Sequence, residues 1–348
     1  MTAITLRAQG YRCRVYERSR SSQEAGMGFI LMPEGMDCLR GFGVELTGDA
    51  SGVPLHRYCH RNAAGEILSE LVMPAGARSI RRRDLITALE NALPNEGALT
   101  LGAELDSLEF GEAGHVTAAY LGSGERIQAD LYVAADGLRS RARRALFPDW
   151  PAAEGRVMEI VGLAQCDHAR HWGQRNLNKF HAEEGGIAIG LLPVDADHVI
   201  WYLQFDSQRF TPPQQSAQAR RAFVERLVGH WADPIAHLLG RTDFSRVHVW
   251  RPIDTDLVPH FHRGNLVLVG DAAHPLLPFT SQGVASAIAD AVLLADAMNA
   301  EEDPADALAA YSIERRNQCA PYIAKGRELT RNFLVPQAAG NAVLPIAQ

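Results

Sequence analysis

Short, uninterrupted apolar runs alternate along this chain with segments of helical periodicity. LYVAA at 131–135 and LVLV at 266–269 are runs of the first kind, and such runs are typical of parallel strands that are buried on both faces of a sheet. Each run is followed by a turn that contains glycine and aspartate, and the turn leads into a predicted helix. The pattern therefore predicts a mixed α/β fold.

The helical segments are recognised by apolar residues that recur every three or four positions and by their stop signals. Gly10 ends the first segment and Pro94 ends the third. The predicted helices span 2–9, 32–42, 83–93, a basic stretch after Gly137, 214–239, a long alanine-rich stretch that ends near 298, and 305–333.

The other segments alternate apolar and polar residues between turn residues, which is typical of strands. They predict a strand over 12–16 that closes on Glu17, a hairpin over 55–72 that turns at Ala64-Gly65, short strands over 99–128, and a strand-rich region over 157–205. Because no helix separates the strands of this last region, we expect it to form a separate antiparallel sheet. Domain boundaries are expected near 150 and 245.

Composition excludes several classes of partner. The 348 residues carry a net charge of −7, which argues against nucleic acid or an anionic membrane. No apolar run approaches the roughly 20 residues that span a bilayer, and the N-terminus has no signal-peptide core. The five cysteines are scattered without a CxxC pair, as expected for reduced thiols in a cytoplasmic protein.

Three strand ends carry the candidate chemistry: Glu17, Asp136-Gly137 and Gly270-Asp271. In open parallel sheets, ligands bind at the carboxyl ends of the strands. Carboxylates there accept hydrogen bonds from ribose or ribityl hydroxyls, and helix N-termini present free N–H groups to phosphates. After the third strand end, the amides of Gln282, Gly283 and Val284 are expected to face an electron-rich ligand edge.

Each of these patterns has an ordinary structural interpretation as well. A strand-end glutamate can be merely exposed, Asp-Gly can be a β-turn before a solvated helix, and the third motif can be a plain strand–loop–helix connection. In the second sheet, Tyr202 and Gln204 share one face of a strand and Trp201 lies on the other. They can line a pocket with Pro278 or simply pack in the core.

Together the motifs resemble a known family. Glu17-Arg18, the DGxxSxxR stretch from Asp136 to Arg143, and GDAAHP at 270–275 with Gln282-Gly283 are similar in order and interval to the class A FAD-dependent monooxygenases of the p-hydroxybenzoate hydroxylase type. The resemblance extends from residue 1 to about 330.

The resemblance implies a role for each matching residue in binding FAD. Glu17, with Arg18 beside it, would hold the adenosine ribose, and Arg82, in a match to an R-x-x-L motif, would approach the cofactor. The remaining implied contacts are Asp136 and Gly137 near the diphosphate and a nicotinamide route, Gly270 and Asp271 at the ribityl chain and diphosphate, and Pro275, Gln282, Gly283 and Val284 beside the isoalloxazine ring.

The implied fold is a Rossmann-like FAD-binding domain over 1–54, 74–150 and 245–335, with a smaller antiparallel-sheet substrate domain over 55–73 and 151–244. The implied reaction is hydroxylation of an aromatic or similarly activated small molecule through a flavin hydroperoxide, with O₂ as oxidant and NADH or NADPH as reductant. No catalytic side chain and no metal ligand is assigned, because the flavin carries the chemistry. Epoxidation or a halogenation-like oxidation is an alternative, as is a flavin-free protein that uses the second sheet as a ligand cup.

The sequence departs from the family pattern in two respects. Ser281, Ala285 and Ala289 stand where the family usually has Gly, Asn and Glu. No GxGxxG precedes the first helix, although the family has a strand and this glycine loop there, between the strands that end at Glu17 and Asp136. Weak FAD binding and marginal stability are therefore expected of the chain as given. A cluster of Asp167, His168 and His171 beside Cys166 is interpreted as a polar loop rather than a metal site.

Overall fold

The computed structural model describes residues 1–21, 27–94, 97–151, 155–166, 175–213 and 215–336. Its helices are α1 (Thr2–Ala8), α2 (Pro33–Gly41), α3 (Arg82–Asn91), α4 (Arg141–Leu146), α5 (Ala217–Val228), α6 (Ile235–Gly240), α7 (Gly283–Ala300) and α8 (Pro304–Leu334). Its strands are β1 (Val15–Glu17), β2 (Gly28–Leu31), β3 (Val53–Pro54), β4 (Arg57–Asn62), β5 (Ile67–Val72), β6 (Arg78–Arg81), β7 (Leu99–Leu101), β8 (Leu105–Phe110), β9 (Val116–Leu121), β10 (Arg126–Ile127), β11 (Tyr132–Ala134), β12 (Val157–Gln165), β13 (Asn176–His181), β14 (Ile187–Pro193), β15 (His198–Asp206), β16 (His248–Trp250), β17 (His262–Arg263) and β18 (Leu266–Leu268).

Most of the predicted helices are confirmed to within a few residues, but the helix predicted over 214–239 is wrong. It is divided into α5 and α6, because α5 ends at Gly229 and Pro234 stands just before α6. Proline disfavours helical geometry in the residue before it, so the apolar periodicity could not be realised as one helix. Residue 214, where the prediction began, lies outside the described residues.

The strand-rich region forms the largest sheet, with strand order β16-β12-β15-β14-β13-β4-β5. The pairings among β12, β15, β14 and β13 are antiparallel, as predicted. The predicted hairpin is β4–β5, and β4 joins the sheet by pairing parallel to β13. The sheet is therefore larger and more mixed than the sequence indicated. The division of the chain into two domains at the stated boundaries remains a prediction.

One face of this sheet is a conventional apolar core. Alternate side chains of the strands, among them Phe180, Trp201 and Phe205, are fully buried and pack against α5 and α6. Because side chains alternate between the two faces of a strand, the residues between them point to the opposite face. That face lies on the side of β2 and of the loop before α7.

The strands that end in candidate cofactor residues lie in two smaller sheets. β11 and β18 pair in parallel, as the apolar runs predicted, and β1 pairs in parallel with β7. Within the described residues, no backbone ladder connects β1 to β11. The prediction of a strand between them is therefore untested. A second core, which includes Leu268 and Leu294, packs β11 and β18 against α7 and α8.

α7 is the one described helix that is long and apolar enough to cross a bilayer. Here its buried residues, including Leu294 and the charged Asp290, face the protein interior. Core packing therefore accounts for its composition. All five cysteines are free thiols, as predicted.

Candidate cofactor and substrate site

A buried ionic network fixes the turn that follows β18. Gly270 adopts a left-handed φ of 58°, and its N–H donates to Oδ2 of Asp290 on α7 over 2.5 Å. The same carboxylate contacts His274 Nε2 at 2.8 Å and Arg315 Nε at 2.6 Å. Asp290, His274 and Arg315 are each at most 2% exposed. The GDAAHP segment is thus attached to both α7 and α8.

The charges of this network support one another. Burial is the largest single influence on His274 and lowers its pKa, but the charge and hydrogen bond of Asp290, together with Cys319, outweigh it and raise the pKa to about 10. Burial raises the pKa of Asp290, yet His274 and Arg315 bring it below its ordinary value. The carboxylate, the imidazolium and the guanidinium are therefore all ionised at neutral pH.

Arg143 connects two of the predicted cofactor turns. Its guanidinium donates to the carbonyl oxygens of Asp271 at 2.9 Å and Ala272 at 2.8 Å, and to that of Leu138 at 2.5 Å. The side chain is 8% exposed. The turn after β11 and the turn after β18 are therefore brought together at the carboxyl ends of two neighbouring parallel strands.

Asp136 acts first on its own helix. Its Oδ2 accepts the N–H groups of Arg141 and Ala142 at 2.6 and 3.1 Å, at the start of α4. Ser140 caps the same helix by accepting the Arg143 N–H. The other carboxylate oxygen, Oδ1, is buried and has no hydrogen-bond partner, so it is available to a ligand hydroxyl.

Asp271 is exposed in the turn after β18. Partial desolvation by the surrounding protein raises its pKa, while the charges of His274, Arg82 and Arg143 act in the opposite direction. Arg82 is exposed at the first turn of α3. Asp271 and Arg82 are thus close enough to interact electrostatically, and the approach of Arg82 to the cofactor remains a prediction.

The start of α7 completes this group. The helix has no capping side chain and no acidic residue in its first turn, so the amides of Gly283 and Val284 are not satisfied from within the helix. Pro275 is buried, and Pro278 begins a short 3₁₀ turn. Ser281 has a φ of 53°, a left-handed conformation that favours glycine, which explains the family preference at this position. Gln282 is buried at the N-cap of α7.

Glu17 and Arg18 stand apart from this group. Both are exposed at the end of β1. Oε1 of Glu17 accepts the N–H of Ser19 at 2.8 Å. Among the described residues, neither side chain contacts the Asp136 or Asp271 turns, so their role in holding the adenosine ribose remains a prediction.

The second face of the large sheet carries several polar residues, and two of them, Glu159 and Lys179, were missed by the sequence analysis. Tyr202 and Gln204 lie there, opposite Trp201, as predicted. Gln204 Nε2 donates to Oε1 of Glu159 at 2.6 Å, and both residues are buried. Lys179, on β13, is also buried on this face. Its Nζ lies 5.2 Å from the ring centre of Phe279, in the 3₁₀ turn before α7, and 5.8 Å from that of Tyr202.

Burial shifts the ionisation of this face strongly. It lowers the pKa of Lys179 to about 8 and raises that of Glu159 to about 7. Burial and the nearby Lys179 charge lower the pKa of His60, on β4, to about 4. A local signal existed for Glu159, since it interrupts an otherwise apolar strand-like segment, whereas Lys179 lies among other polar residues in 176–181. The helices and loops that cover them were not deducible from the strand pattern.

Two other features contribute nothing to this site. An open hollow of about 550 Å³ between α2 and β6 is lined by residues such as Met36, Arg40 and Arg78, and by none of the predicted cofactor residues. No group of potential metal ligands occurs among the described residues. The Asp167, His168 and His171 cluster lies outside them.

Sequence comparison identifies the family. The sequence model of the FAD binding domain family matches residues 1–324. The chain belongs to the class A FAD-dependent monooxygenases. It is 28% identical over 331 residues to the aurachin C monooxygenase/isomerase of Stigmatella aurantiaca, covering 92% of this chain and 83% of that protein.

Other relatives support the same family assignment. The chain is 28% identical over 346 residues to the 3-amino-4-hydroxybenzoate 2-monooxygenase of Streptomyces cremeus, covering 96% of this chain and 84% of that protein. In fold it resembles Klebsiella pneumoniae HpxO complexed with FAD and uric acid, with a TM-score of 0.83, 22% identity, and coverage of 98% and 86%. The predicted family, the two-domain class A fold, and an FAD-dependent monooxygenase activity are therefore confirmed.

Proposed function

We propose that this monooxygenase hydroxylates a small aromatic or similarly activated molecule, with O₂ as co-substrate and NADH or NADPH as reductant. The observation that carries the proposal is the convergence of the Asp136 and Asp271 turns through Arg143, directly beside the uncapped start of α7. The polar sheet face reaches the same loop through Phe279. A cofactor site and a substrate surface are therefore adjacent.

The residues present fit FAD. Asp136 Oδ1 is an unpartnered buried acceptor, and a side chain at Gly137 would meet nothing within 4 Å, so the backbone there is open to a close ligand. Oxygen atoms of Asp136 and Asp271 would accept hydrogen bonds from hydroxyl groups of the cofactor. The amides of Gly283 and Val284 would face the ring edge. The full proposed set is Glu17, Arg18, Arg82, Asp136, Gly137, Gly270, Asp271, Pro275, Gln282, Gly283 and Val284.

When bound, FAD supplies the redox chemistry that activates oxygen. The chain's own residues would bind and orient the cofactor and the substrate and shield them from water. Arg143 and the Asp290 network hold the loops in place, and Phe279 packs the loop before α7 against the sheet. Tyr202, Gln204 and Pro278 are proposed to line the substrate side. We further propose a cytoplasmic location, which the five free thiols support.

The proposed reaction is tested with ¹⁸O₂. Purified protein reconstituted with FAD is supplied with NADH or NADPH and a panel of hydroxylated aromatic acids and heterocycles. We expect one atom of ¹⁸O in a ring hydroxyl of the product, with NAD(P)H consumed in equal amount. Products that carry an epoxide or halogen instead of a hydroxyl group, or a lack of any flavin binding, would refute the proposal.

Asp271→Ala should weaken FAD binding roughly ten- to hundred-fold, since a charge-assisted hydrogen bond contributes about 1.5–3 kcal/mol. The dissociation constant is measured by flavin fluorescence quenching, with folding verified by circular dichroism. Asp296→Ala is the matched control, because Asp296 is exposed further along α7. Equal affinities of the folded Asp271→Ala variant and the parent would remove Asp271 from the site.

A further inference from the structure

Lys179 is a buried cation with no direct hydrogen bond or salt bridge to the described residues, and Glu159 acts on it only through its charge at longer range. The side chain is 4% exposed, and within the described part of the chain no hydrogen bond or ion pair satisfies its ammonium group. A buried charge that lacks a partner is costly. Aromatic rings of Phe279 and Tyr202 lie within 6 Å of the ammonium, which compensates only part of the lost hydration.

Glu159 does not serve as this partner. Its carboxylate is engaged with Gln204, and β12 and β13 are separated in the sheet by β15 and β14. Three strand spacings place the two backbones roughly 14 Å apart. Glu159 and Lys179 therefore flank a stretch of sheet, one at each end, and they act on each other through their charges without a direct contact.

The surface near Lys179 holds further unsatisfied polar atoms. Gln204 Oε1, His60 Nδ1, His181 Nε2 and Ser69 Oγ are buried and have no hydrogen-bond partner. Gly190 lies on β14, at the centre of this stretch. A side chain at this position would collide with the ring of Tyr202, so the glycine makes room for that ring. Such a concentration of orphaned polar groups is typical of a surface that binds a polar ligand.

We propose that this face binds the ionised acidic group of an aromatic substrate, with the anion on Lys179 and the aromatic ring against Tyr202 and Phe279. Gln204 and Glu159 lie at the far end, where they would bind a ring hydroxyl or N–H group. The inference rests on the proposed function, because it names the substrate class of the same site. It requires an anionic aromatic compound rather than a neutral one.

Of the groups that act on Lys179, Glu159 is the acidic one, and burial raises its pKa to about 7, so its carboxylate neutralises Lys179 only in part at neutral pH. The titratable groups that face Lys179 are Glu159 from β12, His60 from β4, His181 from its own strand and Tyr202 from β15. Both histidines are neutral at pH 7, because burial lowers their pKa values. The ammonium is therefore the only positive charge on this face among the described residues. A bound anion would raise the pKa of Lys179 above its free value.

The sequence permits a direct measurement, because Lys179 and Lys325 are its only lysines. Labelling with [ε-¹³C]lysine gives two side-chain NMR signals in the full chain, and the Lys179→Met variant assigns them. Lys325, which pairs with Glu328 on α8, is an internal control. The probes are 4-hydroxybenzoate, 3-amino-4-hydroxybenzoate and 6-hydroxynicotinate, each with its uncharged carboxamide.

We expect at least one acid to shift the Lys179 signal and raise its titration midpoint, while its amide and the Lys325 signal stay unchanged. By calorimetry, Lys179→Met should weaken binding of that acid roughly ten- to hundred-fold, whereas Lys179→Arg retains part of it and Lys325→Met retains all of it. The melting temperature of Lys179→Met should not fall, because removing an unpartnered buried charge relieves a cost.

Three outcomes would overturn the inference: no acid moves the Lys179 signal, the amides bind as well as the acids, or Lys179→Met unfolds while Lys179→Arg binds no acid. Flavin binding and NAD(P)H oxidation by the parent protein report separately on the proposed function. A parent that binds FAD and incorporates ¹⁸O, but binds only neutral compounds, would refute the substrate class and leave the reaction intact.

Discussion

Replacing Asp290 with Asn should lower the free energy of unfolding by about 3–5 kcal/mol, the usual cost of breaking a buried ion pair from one side. The carboxylate is fully buried and bonds His274, Arg315 and the N–H of Gly270. The variant leaves Arg315 charged in the interior without its partner. The measurement is urea denaturation followed by circular dichroism, with and without FAD.

Asp296→Asn is the control, since this residue is exposed one and a half turns further along the same helix, and it should change stability by less than about 0.5 kcal/mol. A loss below about 1 kcal/mol in Asp290→Asn would contradict the role assigned to the network, because even one unsatisfied buried group costs roughly that much.

The same network predicts a pH dependence with a definite sign. The pKa of His274 in the folded protein is about 10, above the ordinary histidine value of 6.5. Its protonation therefore contributes stability that is complete below pH 6.5 and is lost as the pH rises towards 10. The parent protein should lose stability between pH 7 and 10, and Asp290→Asn should lose less over the same range. Parallel curves for the two proteins would show that His274 is not stabilised by Asp290.

The strand-end turns were predictable because their signals are local. An uninterrupted apolar run must be buried, and a following Asp-Gly or Gly-Asp pair must end it. Gly270 and Gly137 both take positive φ angles, as turn glycines commonly do. The parallel pairing of β11 with β18 then follows from burial on both faces.

The contacts that hold the site together have no local signal. Arg143 lies 128 residues from Asp271, and Asp290 lies 25 residues from Arg315. In the sequence, Arg143 is one of several arginines in a basic helix. Only the packing of α4 against the β18 turn buries its guanidinium and directs it to particular carbonyl oxygens.

Lys179, on the proposed substrate face, is a second contact residue whose surroundings could not be predicted from the local sequence. Alternation along β13 places it on the face opposite Phe180, and a lysine on such a face would ordinarily meet solvent. The turn that contains Phe279 covers it instead. That turn is about 100 residues away in the sequence, and its position depends on α7 and α8.

Arg143→Met should raise the dissociation constant of FAD roughly a hundred-fold, or about 3 kcal/mol, because the variant loses three hydrogen bonds from a charged donor. These bonds connect the Leu138 carbonyl to those of Asp271 and Ala272. Without them, the Asp136 and Asp271 turns are no longer held at a fixed separation. Flavin titration measures the affinity, and thermal unfolding without flavin measures the cost to the fold.

Arg144→Met is the matched control, because Arg144 is the next residue of the same helix and is exposed; its flavin affinity should equal that of the parent. Arg143→Lys separates charge from geometry. A lysine restores the positive charge, but its ammonium cannot reproduce the planar fork that reaches carbonyls on two turns. We therefore expect Arg143→Lys to recover less than half of the lost binding free energy. Full recovery by lysine would mean that Arg143 contributes only its charge to the nearby cofactor phosphates, and that the two turns keep their separation without it.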